Sequence, residues 1–545
     1  MSSDVTGPPL SRATVDGSAP AAPPHELAQS GRPWQAPVLL GLLGTAVAAL
    51  GSWVPSFWID ESATLSGARR SLPDLWRMMH HVDAVHGVYY AFMHGWTALF
   101  GTSELAVRLP SALAVGCATA GVWVLGRRLL GPAAALVSAL VFVVLPRVTW
   151  VGTEGRSYAG TVAVAVWATV LLVALLERHR RDPTWSVRRW LAWGAYGLTT
   201  GFVVALNVDV AYLVVAHGVT VLLRLRDAGR RALVGWASGA ALAAVASWPV
   251  NRLTITETGQ LPHRVRRVKV LAQELVVNQY FTGATVTRAR LVRLPPTTLW
   301  GWAAVIFALV GWALVVAGAA VLLARPSGRQ AAAVLLPWLL LPTAVLVVGS
   351  AAGALYYSPR YLSYTTPAVA LVVGAALAAL RPGPRWAVLG LVAVLALPVY
   401  VSQRTPSAKN GYDWRGQLAY VQEHRLPGDA IYVDGGIEAV REAYPAMLHG
   451  LVDVGRPRDP VPRERLFPPE HRLSQVRLPA GVEAVWFLSS ALSPHRAHRD
   501  DALLGALGLV RSGPTWSGGA QRVSLWVVPG SHAARAHEER RGPTP

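Results

Sequence analysis

Two adjacent carboxylates, Asp60 and Glu61, stand just past the first long apolar run of this chain, in Ser56-Phe57-Trp58-Ile59-Asp60-Glu61-Ser62. Carboxylates so placed can take a proton from a hydroxyl, orient one, or hold a cation. Farther along, Asp83 and His86 precede an aromatic stretch that contains Tyr89, and Glu154 and Arg156 flank a glycine. Asp209 lies in a short turn, and Arg360 is followed by Tyr361. A forked guanidinium beside an aromatic ring suits a phosphate. Singly, each of these residues is equally well a helix cap or a charge reaching out of a membrane. They gain chemical meaning only if the surrounding elements gather them on one face.

Those elements are apolar. The 545 residues are 52% hydrophobic and only 15% charged. Blocks of about 18 or more apolar residues cross a bilayer as helices. Such blocks fall at 36–54, 105–126, 132–150, 158–176, 190–206, 209–224, 232–250, 298–323, 330–350, 361–380 and 386–402. The expected fold is therefore a polytopic α-helical membrane protein with about eleven transmembrane helices. A net charge of +20 can signal nucleic acid. Here many arginines sit in short connections between apolar runs, so membrane lipid is the expected partner and nucleic acid is not.

The basic connections are Arg127-Arg128, 177–189, 224–231, 325–329 and 381–385, and they alternate along the chain. With a cytoplasmic N-terminus, all five face the cytoplasm of a cell (plasma) membrane protein. The same parity makes 87–100 an interfacial helix rather than a span, and the first outer loop runs from about 55 to 104. It also places 151–157, the Asn207-Val208-Asp209 turn, 251–297, 351–360 and everything after 402 outside. The candidate residues thus share one face. The outer segment 251–297 carries Arg264, Arg266, Arg267, Lys269, Arg288, Arg290 and Arg293. These suit either a basic lid over an anion or a surface against anionic lipid.

Four regions follow. Residues 1–33, rich in Pro, Ala and Ser, read as a disordered cytoplasmic tail. Residues 34–402 form the membrane domain, whose first run is too long for a simple signal peptide. Residues 403–530 alternate short apolar strands, at 430–433 and 484–488, with helical stretches at 413–424 and 498–509, as an extracytoplasmic α/β domain does. From 531 the chain is polar and is expected to be disordered. The single Cys117 allows no intrachain disulfide. No His/Cys cluster has metal-ligand spacing, and neither a P-loop nor a dinucleotide fingerprint is present.

Several local patterns resemble the polyprenyl-phosphate-sugar-dependent glycosyltransferases of the GT-C fold, the superfamily of protein O-mannosyltransferases and aminoarabinose transferases. Trp58-Ile59-Asp60-Glu61-Ser62 is similar to the acidic motif of that family's first outer loop. Asp83-Ala84-Val85-His86-Gly87-Val88-Tyr89-Tyr90 resembles its Asp-x-x-His-Pro-Pro-Leu-Tyr-Tyr motif, with Gly87-Val88 replacing the two prolines. Glu104 to Ser111, Thr153 to Ala159 and Ser358 to Leu362 resemble three further elements, the second a Gln-Glu-Ala-Arg-x-Tyr-Ala segment. The Asn207-Val208-Asp209 turn departs from the Thr-His-Tyr often found there. Asp413-Trp414-Arg415-Gly416 is similar to the opening of the tail in actinobacterial members. The resemblance covers about 36–402.

The resemblance implies transfer of a sugar, mannose first among candidates, from a polyprenyl monophosphate to a hydroxyl. The acceptor would be a protein, a glycolipid or a cell-wall glycan at the outer face. Asp60 would be the general base of an inverting displacement, with Glu61 and Glu154 orienting the acceptor or binding a cation. Arg360 would hold the leaving phosphate beside Tyr361, and His86, Tyr89, Arg156 and Asp209 would line the substrate site. No cofactor is required, although Mg or Mn at the acidic pair is compatible. The competing reading is a transporter or flippase of a lipid-linked sugar. Transporters place charged sites near the midplane on repeated halves, whereas these acids sit at helix ends and no repeat is visible.

Overall fold

The computed structural model describes residues 34–541 apart from 183–185, 258–267, 283–298, 354, 356, 436, 458–463, 491–493 and 519–520. The expected disorder of 1–33 and most of the basic segment 264–293 lie outside the described residues.

Each of the eleven apolar blocks is helical. In order they are α1 (Gln35–Ala49), then α2 (Ile59–Ala68), α3 (Leu72–Met78) and α4 (Gly87–Phe100) of the first loop, and α5 (Glu104–Leu129). There follow α6 (Pro132–Val144), α7 (Pro146–Val151), α8 (Tyr158–Arg181), α9 (Val187–Leu206), α10 (Ala211–Leu223) and α11 (Leu225–Thr256). After a short helix (Val268–Gln273) and a π-helical turn (Glu274–Thr282), four helices close the bundle: Leu299–Ala324, Pro326–Ala351, Thr366–Ala378 and Pro382–Ser402. Six described helices are long and apolar enough to cross a membrane, and four more are apolar but shorter. Block 132–150 breaks into α6 and α7 because Pro146 cannot continue a helical hydrogen-bond ladder.

With lipid as apolar as the side chains, these helices gain little from hydrophobic burial and pack through small residues. A Cβ on Gly116 of α5 would stand 2.0 Å from Thr45 Oγ1 and 2.5 Å from the Gly41 carbonyl of α1. On α9, a Cβ on Gly197 would meet the Gly239 carbonyl of α11 at 2.6 Å. These close approaches hold the bundle rigid beneath the loops.

Segment 87–100 is the single helix α4. It buries Gly87, Tyr89, Tyr90 and Met93 and exposes Phe92, Leu99 and Phe100. Phe92, Trp96 and Phe100 form a ring ladder one turn apart, with centroids 6.0 and 4.2 Å apart. This amphipathic pattern matches an interfacial helix.

The tail is an α/β domain with strands β1 (Ala430–Val433), β2 (Val452–Asp453), β3 (Ala484–Ser490), β4 (Val510–Gly518) and β5 (Gln521–Val527). Their order is β2-β1-β3-β5-β4. β1 runs parallel to β2 and β3, pairing Ile431 with Trp486, and β5 runs antiparallel to β3 and β4. Alternate side chains serve two faces. Ile431, Val433, Trp486, Leu488 and Leu525 pack on helix Trp414–His424, in one apolar cluster with Phe57, Leu65, Ala68 and Tyr90 of the first loop. Tyr432, Phe487 and Trp526 pack on the other face with Leu504 of helix Pro494–Ala506. The domain therefore shares a core with the loop that carries Asp60.

The polar end expected to be disordered from 531 is instead a helix, His532–Arg541. Its first turn is capped by Glu483 Oε2 and Ser531 Oγ, which accept from Ala533 N and Ala534 N at 2.9 and 3.1 Å. His537 is buried against Asp429 at 3.0 Å. Long-range caps and a buried partner outweigh the polar composition.

Candidate active site

Asp60 and Glu61 occupy the first turn of α2, where the helix dipole favours acids. Neighbouring helical residues project about 100° apart, so the two carboxylates diverge.

Glu61 turns inward and is fully buried. Arg108 of α5, also fully buried, donates from Nε and Nη2 to its two oxygens at 2.7 and 2.6 Å. The same guanidinium reaches the carbonyls of Ser52, Pro55 and Ser56 at 2.6, 2.7 and 3.1 Å. Glu61 Oε1 also accepts from Gly155 N at 2.9 Å. The pair thus ties loop 52–56, α2, α5 and turn 151–157 together, and its geometry leaves Glu61 poorly placed to take an acceptor or a cation.

Asp60 turns the other way and forms an ion pair with Arg360, three hundred residues distant. Both side chains keep some access to solvent, 16% and 23% exposed. The guanidinium lies 5.7 Å from the Trp58 ring, 5.9 Å from Tyr158 and 5.4 Å from Tyr361. Burial raises the Asp60 carboxyl, but Arg360, then Arg156 and His86, more than reverse this and hold it below the ordinary carboxylate range.

A second chain of contacts lines the site. Asp83, held at φ 60°, accepts from the Tyr90 hydroxyl. Tyr90 in turn accepts from Arg156 Nη1 at 2.7 Å. His86 sits 3.9 Å from Asp83. Burial first and Arg156 next push the imidazole down to about 4, so it is neutral at pH 7. Tyr89 is buried one residue before Tyr90.

Glu154 is fully buried, and among the described residues neither of its carboxylate oxygens has a hydrogen-bond partner. Its backbone is fixed by Ser111, whose hydroxyl donates to the Glu154 carbonyl at 2.6 Å. Burial, only partly offset by Lys409 and Arg360, pushes the carboxyl up to about 7. His86 Nδ1, Arg156 Nε, the Tyr158 hydroxyl and the Trp58 and Trp150 indole N–H groups are likewise without partners among the described residues. Buried polar atoms are rarely left so. These atoms lie close to Asp60 and Arg360.

The structure thus brings Asp60, Glu154, Arg156, His86, Arg360 and Tyr361 together and diverts Glu61 to Arg108. Asp209 stands apart. Its carbonyl accepts from Tyr364 at 2.7 Å, its turn touches the site through Asn207 Nδ2 and the Tyr361 carbonyl at 3.2 Å, and the charges felt by Asp60 do not include it. Sequence reasoning missed Arg108 as the partner of Glu61, although an arginine within an apolar run is itself a signal. It also missed Lys409. Among the described residues no group of three or more His, Cys, Asp and Glu is placed to hold a metal ion. A divalent ion at the acidic pair would have to displace an arginine from Asp60 or Glu61.

Residues 87–249 match the family profile described as dolichyl-phosphate-mannose-protein mannosyltransferase. No curated protein matches the sequence significantly. Among solved structures, ArnT from Cupriavidus metallidurans bound to undecaprenyl phosphate is similar at a TM-score of 0.54 and 15% identity, over 92% of this chain and 99% of that one. The apo state of that protein gives 0.52 and 15%, over 90% and 97%. The chain therefore shares its fold with these membrane proteins, and residues 87–249 carry the signature of a family described as dolichyl-phosphate-mannose-protein mannosyltransferase.

Proposed function

We propose that the chain moves a sugar, mannose first among candidates, from a polyprenyl monophosphate to a hydroxyl of a protein, glycolipid or cell-wall glycan. The observation that carries this reading is the Asp60–Arg360 ion pair, ringed by Trp58, Tyr158 and Tyr361 at one end of an apolar bundle. An isoprenoid tail can stay in lipid beside such a bundle while its phosphate reaches Arg360. The match to a family named for dolichyl-phosphate mannose supports the donor class. So does the undecaprenyl phosphate on a protein of the same fold.

The ion pair also accounts for timing. Before the donor arrives, Arg360 holds Asp60 as an unreactive carboxylate. The donor phosphodiester, with one negative charge and two free oxygens, competes for the same fork, and the leaving phosphomonoester, with a third oxygen and more charge, competes more strongly. Once Arg360 turns to phosphate, its pull on Asp60 weakens and burial raises the carboxyl toward the range of a useful base. Asp60 then accepts the acceptor hydroxyl's proton as that oxygen bonds to the anomeric carbon. The bond from that carbon to the phosphate oxygen breaks, the electron pair leaves on the lipid phosphate, and the anomeric configuration inverts. The developing phosphate charge falls on Arg360, with Arg156 nearby. Glu154, with both oxygens unpartnered, orients hydroxyls, and the neutral His86 adds a site for one more. Glu61 acts as an anchor with Arg108. The parity of the basic loops supports an extracytoplasmic position, in a multi-pass plasma-membrane protein, for this end of the bundle and for the C-terminal domain.

Membranes containing the chain are given labelled polyprenyl-phosphate sugars, and label is followed into protein, lipid and glycan fractions. Transfer into one fraction with inverted configuration supports the reading and names the acceptor. Label that stays on the lipid while a solute crosses vesicles supports a transporter instead. A reporter fused after Gln403 that is found in the cytoplasm overturns the orientation.

A further inference from the structure

The segment joining the last membrane helix to the C-terminal domain carries a buried charge that the steps above leave unused. Lys409 is one of two lysines in a chain that elsewhere meets its need for positive charge with arginine, the other being Lys269. It is 2% exposed. Its Nζ lies 3.4 Å from Thr153 Oγ1 and 5.0 Å from the centre of the Trp150 ring, so it reaches into the turn that presents Glu154. A compact ammonium on a flexible stem fits between those groups.

The backbone is bent to deliver it. Asn410 and Gly411 both adopt left-handed conformations, with φ 55° and 86°. A non-glycine residue pays for this conformation, and such strain persists only where the surroundings enforce it. Gly411 N donates to the Ser407 carbonyl at 3.1 Å and Tyr412 N to the Lys409 carbonyl at 3.0 Å, closing the turn. Ser56 N donates to the Pro406 carbonyl at 2.9 Å, which ties the same segment to the loop before Asp60. Beyond it, Arg415 Nη1 donates to Glu104 at 2.8 Å and Nη2 to the Val54 carbonyl at 2.6 Å. The Tyr444 hydroxyl joins Glu104 at 2.9 Å and accepts from Phe57 N at 2.8 Å. The Lys409 segment and the start of the C-terminal domain are thus held by the same first-loop residues.

We propose that Lys409, an ammonium buried against the turn that presents Glu154, is a positioning residue of the transfer site that acts through Glu154 by keeping its carboxylate ionised. This rests on the sugar-transfer reading. Glu154 faces Lys409 and Arg360 as cations and Asp60 and Glu61 as anions. Lys409 faces Glu154 and Glu61 as anions and Arg108 and Arg404 as cations. Burial dominates both groups, raising Glu154 to about 7 and lowering Lys409 to about 8. Without the ammonium, Glu154 takes a proton at higher pH, and a neutral carboxyl can no longer accept hydroxyls on both oxygens.

The test is kcat/KM against pH for the purified full chain with a polyprenyl-phosphate mannose donor, as wild type, Lys409→Met and Lys409→Arg. Methionine keeps the shape and removes the charge, whereas arginine keeps the charge and changes the shape. In the expected result, the acid limb of Lys409→Met moves up by about one unit or more, while Lys409→Arg holds the wild-type limb. A Lys409→Met limb that stays at the wild-type position, or a Lys409→Arg limb that moves as far as that of methionine, overturns the proposal. If one variant does not fold, the other decides alone. A wild type that transfers no sugar from any lipid donor is a separate result, which refutes the sugar-transfer reading itself.

Discussion

Arg108→Met separates an anchoring role for Glu61 from a chemical one. The substitution leaves a fully buried carboxylate without its bidentate partner. Breaking a buried pair from one side costs about 3–5 kcal/mol. The carbonyls of Ser52, Pro55 and Ser56 lose the same donor. Each that stays dry adds about 1 kcal/mol or more. Against a total of about 5–15 kcal/mol this is a large fraction, and the melting temperature in detergent should fall on the order of 10 °C. Replacing the pair with Arg108→Met and Glu61→Met together removes the stranded charge, and most of the ion-pair cost should return. Transfer should stay low in both variants: in Arg108→Met loop 52–56 has lost the guanidinium that ties it to α5, and in the double variant Gly155 N has also lost its acceptor. The assays are thermal melting and single-turnover transfer on the same preparations. An Arg108→Met chain that melts with the wild type and transfers at its rate refutes the anchoring role. A Glu61→Gln chain with unchanged melting and abolished transfer would point to chemistry at Glu61.

Four further outcomes are expected. Asp60→Asn should lower transfer by at least about a hundredfold while the chain still binds donor, since Arg360 is then free for phosphate; binding and turnover measured separately check this. Arg360→Lys keeps a charge but loses the fork and the ring contacts, so kcat/KM for the lipid donor should fall about tenfold or more. Wild-type transfer should decline as pH falls through about 7, where Glu154 takes its proton; Asp60 stays ionised well below that, and His86 stays neutral down to about 4, so neither sets this limb. Gly116→Val should loosen α1 from α5, costing about 1–3 kcal/mol of stability by overpacking and lowering the melting temperature, because a Cβ there meets Thr45 Oγ1 at 2.0 Å.

What the sequence revealed about the molecule follows from the range of the forces involved. The apolar blocks were readable because membrane insertion is a local property of about twenty residues. Segment 87–100 is one short helix, and its aromatic spacing falls one turn apart as a ring ladder. Asp60, Glu154 and Arg360 stood out as charges at the ends of apolar runs. The divergence of Asp60 and Glu61 was not readable, because it depends on which arginine lies on which side of α2. Lys409 was hidden in a junction whose importance comes from a left-handed Asn410-Gly411 turn and from contacts with loops hundreds of residues earlier. The helix His532–Arg541 was hidden because its Glu483 cap and its buried Asp429 partner are remote in sequence.

The central claim is that Asp60 and Arg360 transfer a sugar from a lipid phosphate. The most direct measurement places the purified chain in liposomes with one labelled polyprenyl-phosphate sugar and a hydroxyl acceptor, and follows free polyprenyl phosphate and glycosylated acceptor together. The account predicts that both appear in equal amounts with wild type, with inverted configuration, and that both fall together in Asp60→Asn. Equal rates in wild type and Asp60→Asn, or donor that crosses the bilayer intact without being consumed, would contradict it.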